Sequence, residues 1–366
     1  MFVKTLDMVN FRNHGHLSMT FGEEMYRLIG PNGLGKTNFL EGIYVSMTGR
    51  SFRTNALKEV ITFKEEYSYL ASTVHIDTFD HKMQLTIKES GKHYMRDNNP
   101  IKRTKDYGRG LGVVVFEPKH LQMIQGSPSG RRSFLDDMLR MTSPVYDESY
   151  SGYYHVLYQR NYVLRKLKEP SLLDVYDRRL SVYAAVLLKE RLKFLKRMAP
   201  GVSKYYEVIS GDSESLEVRY KASFPVTRIV DLEAEFYESL KSSRESDRER
   251  GRTGIGPHLD DLSFLLDGRE AKRYASTGQI RSIVLALKCL EIERVGEFLG
   301  SAPVVLLDDV LSELDDMRRD VLLSEIKGQC FITSAEEIAS LKQKSAAIDL
   351  NRYCLLYTSD AADEED

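Results

Sequence analysis

The chain has 366 residues, 42% of them hydrophobic, and a formal net charge of -2. That is enough apolar material for two or more structural units, and it excludes both a disordered tail and a protein that holds nucleic acid by overall positive charge. No run of about 18 apolar residues occurs and no apolar segment follows a basic start, so neither membrane spanning nor export is expected; the expected compartment is the cytoplasm.

In chain order, residues 2–9 (FVKTLDMV) and 16–21 (HLSMTF) alternate apolar and polar as strands do, and residues 26–30 (YRLIG) lead into a glycine-rich loop. After the loop Phe39, Leu40, Ile43, Tyr44 and Met47 recur at helical spacing, with Gly49 as the stop. Residues 68–89 predict two antiparallel strands, and GVVVF at 112–116 predicts a buried one. From about residue 119 the period becomes helical. Leu172, Val175, Tyr176, Leu180, Tyr183, Leu187, Leu192 and Leu195 predict a long amphipathic helix over 171–198, ended by Pro200 and Gly201. The polar run at 241–253 (KSSRESDRERGRT) reads as a mobile connector or as a helix end. A strand at 261–268, a helix over 278–298 and the apolar strand PVVLLDD at 303–309 return the α/β pattern. The expected organisation is an α/β domain made of 1–118 plus 254–353, a mainly helical insertion over 119–253, and a non-native or disordered tail over 354–366.

Gly30, Pro31, Asn32, Gly33, Leu34, Gly35, Lys36 and Thr37 match G-x-x-x-x-G-K-[ST] in full, with Asn38 following, and the motif sits between a predicted strand and a predicted helix. Glycines there let backbone N–H groups converge on phosphate oxygens beside a helix N-terminus. Lys36 would reach the β- and γ-phosphates of ATP, and the Thr37 hydroxyl would take a place on Mg2+. PVVLLDD supplies the acidic half of such a site: Asp308 to hold Mg2+, Asp309 to polarise the attacking water. A third segment, STGQ, opens the apolar helix at 278, where Ser276 and the amides near Gly278 and Gln279 would face a second phosphate. One chain with two phosphate-facing helix starts makes sense if the second completes a partner's site, so that ATP is sandwiched in a homodimer.

The segments NFRN (10–13), GPNGLGKTN (30–38), TGRSFRT (48–54), RRSFLDD (131–137), YQRN (158–161), GPHLDDLSF (256–264), STGQIRS (276–282) and LLDDVLSELD (306–315) together resemble the RecF family of bacterial gap-repair ATPases. The resemblance covers nearly all of residues 1–335. It implies an ABC-type P-loop ATPase head of the SMC-like class with an inserted helical lobe, and ATP-driven dimerisation on gapped or junction duplex DNA. It also implies partnership with RecO and RecR in loading RecA. By the same resemblance Lys36 and Thr37 are Walker A, Asp308 and Asp309 Walker B, 276–279 the signature loop and 312–315 the D-loop. Leu259 stands where the family usually has arginine; Thr333 and Ser334 stand where ABC transporters have a histidine; the Q-loop residue is Glu117, Gln122 or neither.

Candidate DNA-phosphate contacts are Arg50 and Arg53, Arg131 and Arg132, and Lys189, Lys193, Lys196 and Arg197, the last group reading equally as a solvated helix face. Tyrosines in 146–158 would stack on bases or pack a lobe. The histidines at 14, 16, 75, 81 and 93 lack metal-ligand spacing, and Cys289, Cys330 and Cys354 read as ordinary thiols. Two other readings carry some of the same motifs: the nucleotide-binding subunit of a transporter, and another SMC-like repair ATPase.

Overall fold

The computed structural model describes residues 1–351 apart from 32, 168–169, 212–213, 335–338 and 344. Asn32 and the tail from 354, both singled out in the sequence, lie outside the described residues. The strands are β1 (Phe2–Phe11), β2 (His14–Thr20), β3 (Met25–Ile29), β4 (Tyr67–Ile76), β5 (Phe79–Lys88), β6 (Gly91–Arg96), β7 (Asn99–Ile101), β8 (Val113–Phe116), β9 (Leu216–Lys221), β10 (Asp261–Leu266), β11 (Arg269–Glu270), β12 (Val304–Asp308), β13 (Cys330–Thr333) and β14 (Ala346–Asp349). The α-helices are α1 (Lys36–Thr48), α2 (Thr104–Tyr107), α3 (Pro118–Leu121), α4 (Pro128–Thr142), α5 (Pro144–Tyr162), α6 (Pro170–Ser210), α7 (Leu232–Arg250), α8 (Ala271–Tyr274), α9 (Thr277–Leu299), α10 (Asp316–Glu325) and α11 (Ala339–Lys342).

Two compact units result: Met1–Pro118 with Glu291–Asp366, and Lys119–Leu290. In the first, a six-stranded antiparallel sheet runs in the order β2-β1-β4-β5-β6-β7, and a five-stranded parallel sheet in the order β14-β3-β13-β12-β8. β4 alternates buried and half-buried residues, as a sheet with one covered face requires, whereas all five residues of β12 are buried, as a parallel strand covered on both faces requires. α1 packs against strands of both sheets and contributes Phe39, Leu40, Ile43, Val45 and Met47 to the core they share. The chain ends are joined by one buried amide: Gln329 accepts the Val3 N–H at 2.8 Å and donates to the carbonyls of Val3 and Gly22, each at 2.8 Å. Phe21, Tyr26, Phe39 and Phe331 cluster around that junction.

The second unit packs α5 on α6, α6 on α7, and α4 against β10 of the three-stranded sheet β11-β10-β9. It includes residues 254–290, which the sequence pattern alone places with the α/β domain. The helices α6 and α7 differ in how far their sequence signals reach. The long helix does not end at Pro200; α6 continues to Ser210 because Val202, Tyr206 and Ile209 prolong its buried stripe. A mid-helix proline costs about 3 kcal/mol, which three buried side chains at about 1.5–3 kcal/mol each offset. Of the two readings of 241–253, the helix end holds: residues 241–250 are the last turns of α7, stopped by Gly251 at φ 65.

Two buried arginines hold this unit. Arg160 donates to Asp177 (2.6 Å), Asp247 (2.7 Å) and Thr253 (2.7 Å), while Arg191 donates to Asp136 (2.7 Å), the Tyr146 and Tyr220 hydroxyls and the Pro257 carbonyl. Tyr153 donates to His258 Nδ1 at 2.7 Å, and burial pushes that imidazole down to about 4, so it stands neutral with Nε2–H toward the Thr253 carbonyl. Tyr146 and Tyr153, candidates for base stacking, are thus core residues. Removing Arg160 leaves buried Asp247 without its cation and buried Asp177 with Arg244 alone. Arg160→Met is therefore expected to lower folding stability by about 3–5 kcal/mol, read from urea unfolding, and a loss below about 1 kcal/mol would show that the pair is structurally idle.

Candidate functional site

The glycine loop follows β3 and ends where α1 begins, a connection that points the first N–H groups of a 13-residue helix into the loop. Gly30, Gly33 and Gly35 all have positive φ (148, 86 and 96°). Gly35 is required twice over: its conformation is left-handed, and a Cβ would lie 2.5 Å from Asn13 Oδ1. Lys36 is buried and donates from Nζ to the Gly30 carbonyl at 2.7 Å, which lays the ammonium back over the loop. Pro31 and Leu34 complete the described part of the turn, the Leu34 side chain lying against Gly30.

The acidic strand end stands beside that loop within the same unit. Thr37 donates from Oγ1 to Asp308 Oδ1 at 2.8 Å across 271 residues of sequence. A hydroxyl with its proton on a carboxylate still has lone pairs for a cation. Asp309 has φ 50, and its Oδ1 is buried without a hydrogen-bond partner among the described residues. Its carboxyl is held above the usual aspartate range, first by burial and then by the Asp308 charge, with the Lys36 ammonium acting against both. A free carboxylate oxygen, a hydroxyl with open lone pairs, a buried ammonium and converging N–H groups form a donor set that fits a magnesium-bound triphosphate.

A second ring of residues fixes the loop. Asn38 donates to Asn13 Oδ1 (2.8 Å), Arg53 donates to Asn38 Oδ1 (2.6 Å), and His14 lies 3.2 Å from the Gly35 carbonyl. Buried Glu41 accepts two hydrogen bonds from Arg12 and others from Ser51 and Arg53. Burial lowers the His14 pKa despite the Gly35 carbonyl, so its Nε2–H donates as a neutral ring. Asn13 and Glu41 are not singled out individually in the sequence, and His14 only as a histidine without metal-ligand spacing; their signal is the place of NFRN ahead of the loop and a glutamate inside an apolar helix.

The signature segment lies in the second unit. Ser276 immediately precedes α9 and forms a reciprocal cap with Gln279: the Gln279 N–H donates to Ser276 Oγ (3.2 Å), and the Ser276 N–H donates to Gln279 Oε1 (2.7 Å). Gln279 Nε2 donates to Glu214 at 2.6 Å, so the amide is aimed by a third residue, and Gly278 sits within the first turn. Ser276 is exposed at this helix start. In the first unit Ser312 donates to the Asp309 carbonyl at 2.8 Å, tying the start of the D-loop to the acidic strand end.

Of the candidate DNA contacts, Arg131 is excluded. It is buried, donates in bidentate fashion to Asp261 (2.8 and 3.0 Å) and gives Nη1 to three carbonyls, because RRSFLDD and GPHLDD are packed on each other. Arg132 is half-buried and donates to the Asp260 carbonyl. Arg53 is exposed although paired with Glu41, and Arg50 is half-buried. Lys189, Lys193, Lys196 and Arg197 are exposed on α6. Glu117 is buried just after β8, and Gln122 is exposed.

A parallel sheet that brings a glycine loop and an Asp-Asp strand end together, with a serine-led helix start elsewhere in the chain, defines an ATP-binding ABC-type ATPase of the SMC-like class. Residues 2–348 match the family described as RecF/RecN/SMC N terminal domain. The chain is 36% identical over 361 residues to the DNA replication and repair protein RecF of Streptococcus equi subsp. zooepidemicus, covering 96% of this chain and 97% of that one. It is 38% identical over 333 residues to the protein of the same name from Lachnoclostridium phytofermentans, covering 90% and 91%. A solved structure described as the recombination mediator protein RecF-ATPrS in the RecFOR pathway is similar at TM-score 0.86 and 33% identity, over 92% of this chain and 93% of that one. The chain belongs to the RecF family of DNA replication and repair proteins. Among the described residues no helix is long and apolar enough to cross a membrane.

The loop geometry sets a test. Gly35→Ala is expected to weaken ATP binding by about tenfold or more, about 1.4 kcal/mol or above, measured with a fluorescent ATP analogue. Gly22→Ala is the control, since its Cβ would meet nothing closer than 3.5 Å. Equal affinity in both variants would contradict the tight loop.

Proposed function

We propose that this protein is a cytoplasmic, ATP-dependent DNA-binding ATPase of recombinational gap repair, whose ATP-bound dimer clamps duplex DNA near gaps or junctions and whose hydrolysis of ATP releases it. With RecO and RecR it would promote loading of RecA. The observation that carries the reading is the convergence of Lys36, Thr37, Asp308 and Asp309 on one loop, with Thr37 already bonded to Asp308.

In this reading Gly30 to Asn38, Asn32 included, bind the triphosphate, and Lys36 contacts its β- and γ-oxygens. Thr37 and Asp308 would hold Mg2+, which when bound would supply charge neutralisation for phosphoryl transfer. Asp309 orients and polarises the attacking water, its buried free oxygen being the acceptor for that water's proton. Ser276, Gly278 and Gln279 complete the site of a second copy, so that nucleotide selects the closed dimer. The ATPase head in this functional sense is 1–118 plus 254–353, with 119–253 as the inserted lobe. Arg50, Arg53 and Arg132 are the proposed phosphate contacts; they position the duplex without reading its sequence.

The test is anisotropy of a labelled gapped duplex titrated with the protein in ATP and in ADP at two salt concentrations. Binding about tenfold or more tighter in ATP, weakened by salt, is expected; equal or absent binding in both nucleotides would reject the clamp. Asp309→Asn is expected to retain ATP and remain on DNA, and turnover at the wild-type rate would remove Asp309 from the catalytic role.

A further inference from the structure

Thr333 ends β13 and is the register partner of Asp308 on β12. It is completely buried. Its Oγ1 donates to Asp308 Oδ1 at 2.8 Å and accepts the Asp309 N–H at 2.9 Å. A hydroxyl has one proton and two lone pairs, so both bonds form at once. The Asp308 oxygen that receives this proton is the one that receives the Thr37 proton, also at 2.8 Å. Oδ1 is therefore fixed from two directions, by the start of α1 and by the end of β13.

The second bond constrains Asp309. A residue other than glycine at φ 50 occupies a sparsely populated conformation that persists only where its surroundings hold it. The Asp309 N–H bond to Thr333 supplies that hold, and the backbone conformation in turn sets the direction in which the Asp309 carboxylate leaves the strand. Serine or threonine at this place satisfies the geometry; valine, of the same shape, leaves the Asp309 N–H unmet and Asp308 Oδ1 with the Thr37 proton alone.

We infer that Thr333 is a positioning residue of the ATPase centre, one hydroxyl that sets the cation-holding Asp308 and the water-polarising Asp309 in register with each other. The inference rests on the roles given to those two aspartates above. It acts through them and touches no substrate atom.

Thr333→Val and Thr333→Ser test it, each measured for Mg2+-dependent binding of a fluorescent ATP analogue and for steady-state turnover. In the valine variant the Mg2+ concentration at half-saturation rises about threefold or more, kcat falls about tenfold or more and KM stays within about threefold, while serine restores most of both losses. Wild-type Mg2+ dependence and kcat in Thr333→Val would overturn the inference, as would a serine variant as impaired as valine. Should Thr333→Val fail to fold, amide exchange at Asp309 in the wild-type protein decides: slow exchange supports the bond, and exchange at the rate of an open amide refutes it. Lys36→Ala and Asp309→Asn are assayed alongside. If they retain turnover, the reading of the whole site fails; if they lose it while Thr333→Val does not, only the role of Thr333 fails.

Discussion

One carboxylate oxygen organises the first unit. Asp308 Oδ1 accepts protons from Thr37 and Thr333, residues that enter from the start of α1 and from the neighbouring parallel strand. Both bonds need the loop after β3 and the ends of β12 and β13 to lie on the same edge of the sheet. The parallel order β14-β3-β13-β12-β8 meets that need by placing β13 between β3 and β12. Strands at opposite ends of the sequence thus interleave, and the site lies outside their C-terminal ends, where open α/β sheets bind ligands. The Gln329 amide, which closes Val3 and Gly22 onto the same unit, secures the interleaving from the other end of the strands.

The second unit solves a different problem. Its helices carry Arg160 and Arg191 into fully buried positions, and each charge is met by carboxylates and hydroxyls from distant segments. Such clusters contribute little net stability compared with apolar packing, yet they penalise every arrangement that leaves a charge unpaired. The segments RRSFLDD, YQRN and GPHLDD each supply a member: Asp136, Arg160 and the Pro257 carbonyl. RRSFLDD and GPHLDD also meet each other directly, Arg131 with Asp261 and Arg132 with the Asp260 carbonyl.

Much of this was legible in the sequence, for identifiable reasons. The loop motif fixes a strand before it and a helix after it, and the all-apolar run before Asp308 can only be a strand covered on both faces. The limits of α6 and α7 were less legible, because the proline and charge-run signals are local, whereas the buried residues that extend those helices report on distant partners. Arg131 looked like a surface cation because a sequence does not display the carboxylate that buries it. Thr333 was visible only as a place where another residue type was expected; its two bonds follow from a register that links positions 308 and 333 across the sheet.

The central claim is that Asp308 couples nucleotide binding to a divalent cation through the loop that holds the phosphates. Calorimetric titration of ATP into the wild type and Asp308→Asn, each with Mg2+ and with a chelator, tests it most directly. The account predicts that Mg2+ tightens ATP binding to the wild type by about tenfold or more, about 1.4 kcal/mol, and that Asp308→Asn loses most of this gain. The same Mg2+ dependence in both proteins would contradict it.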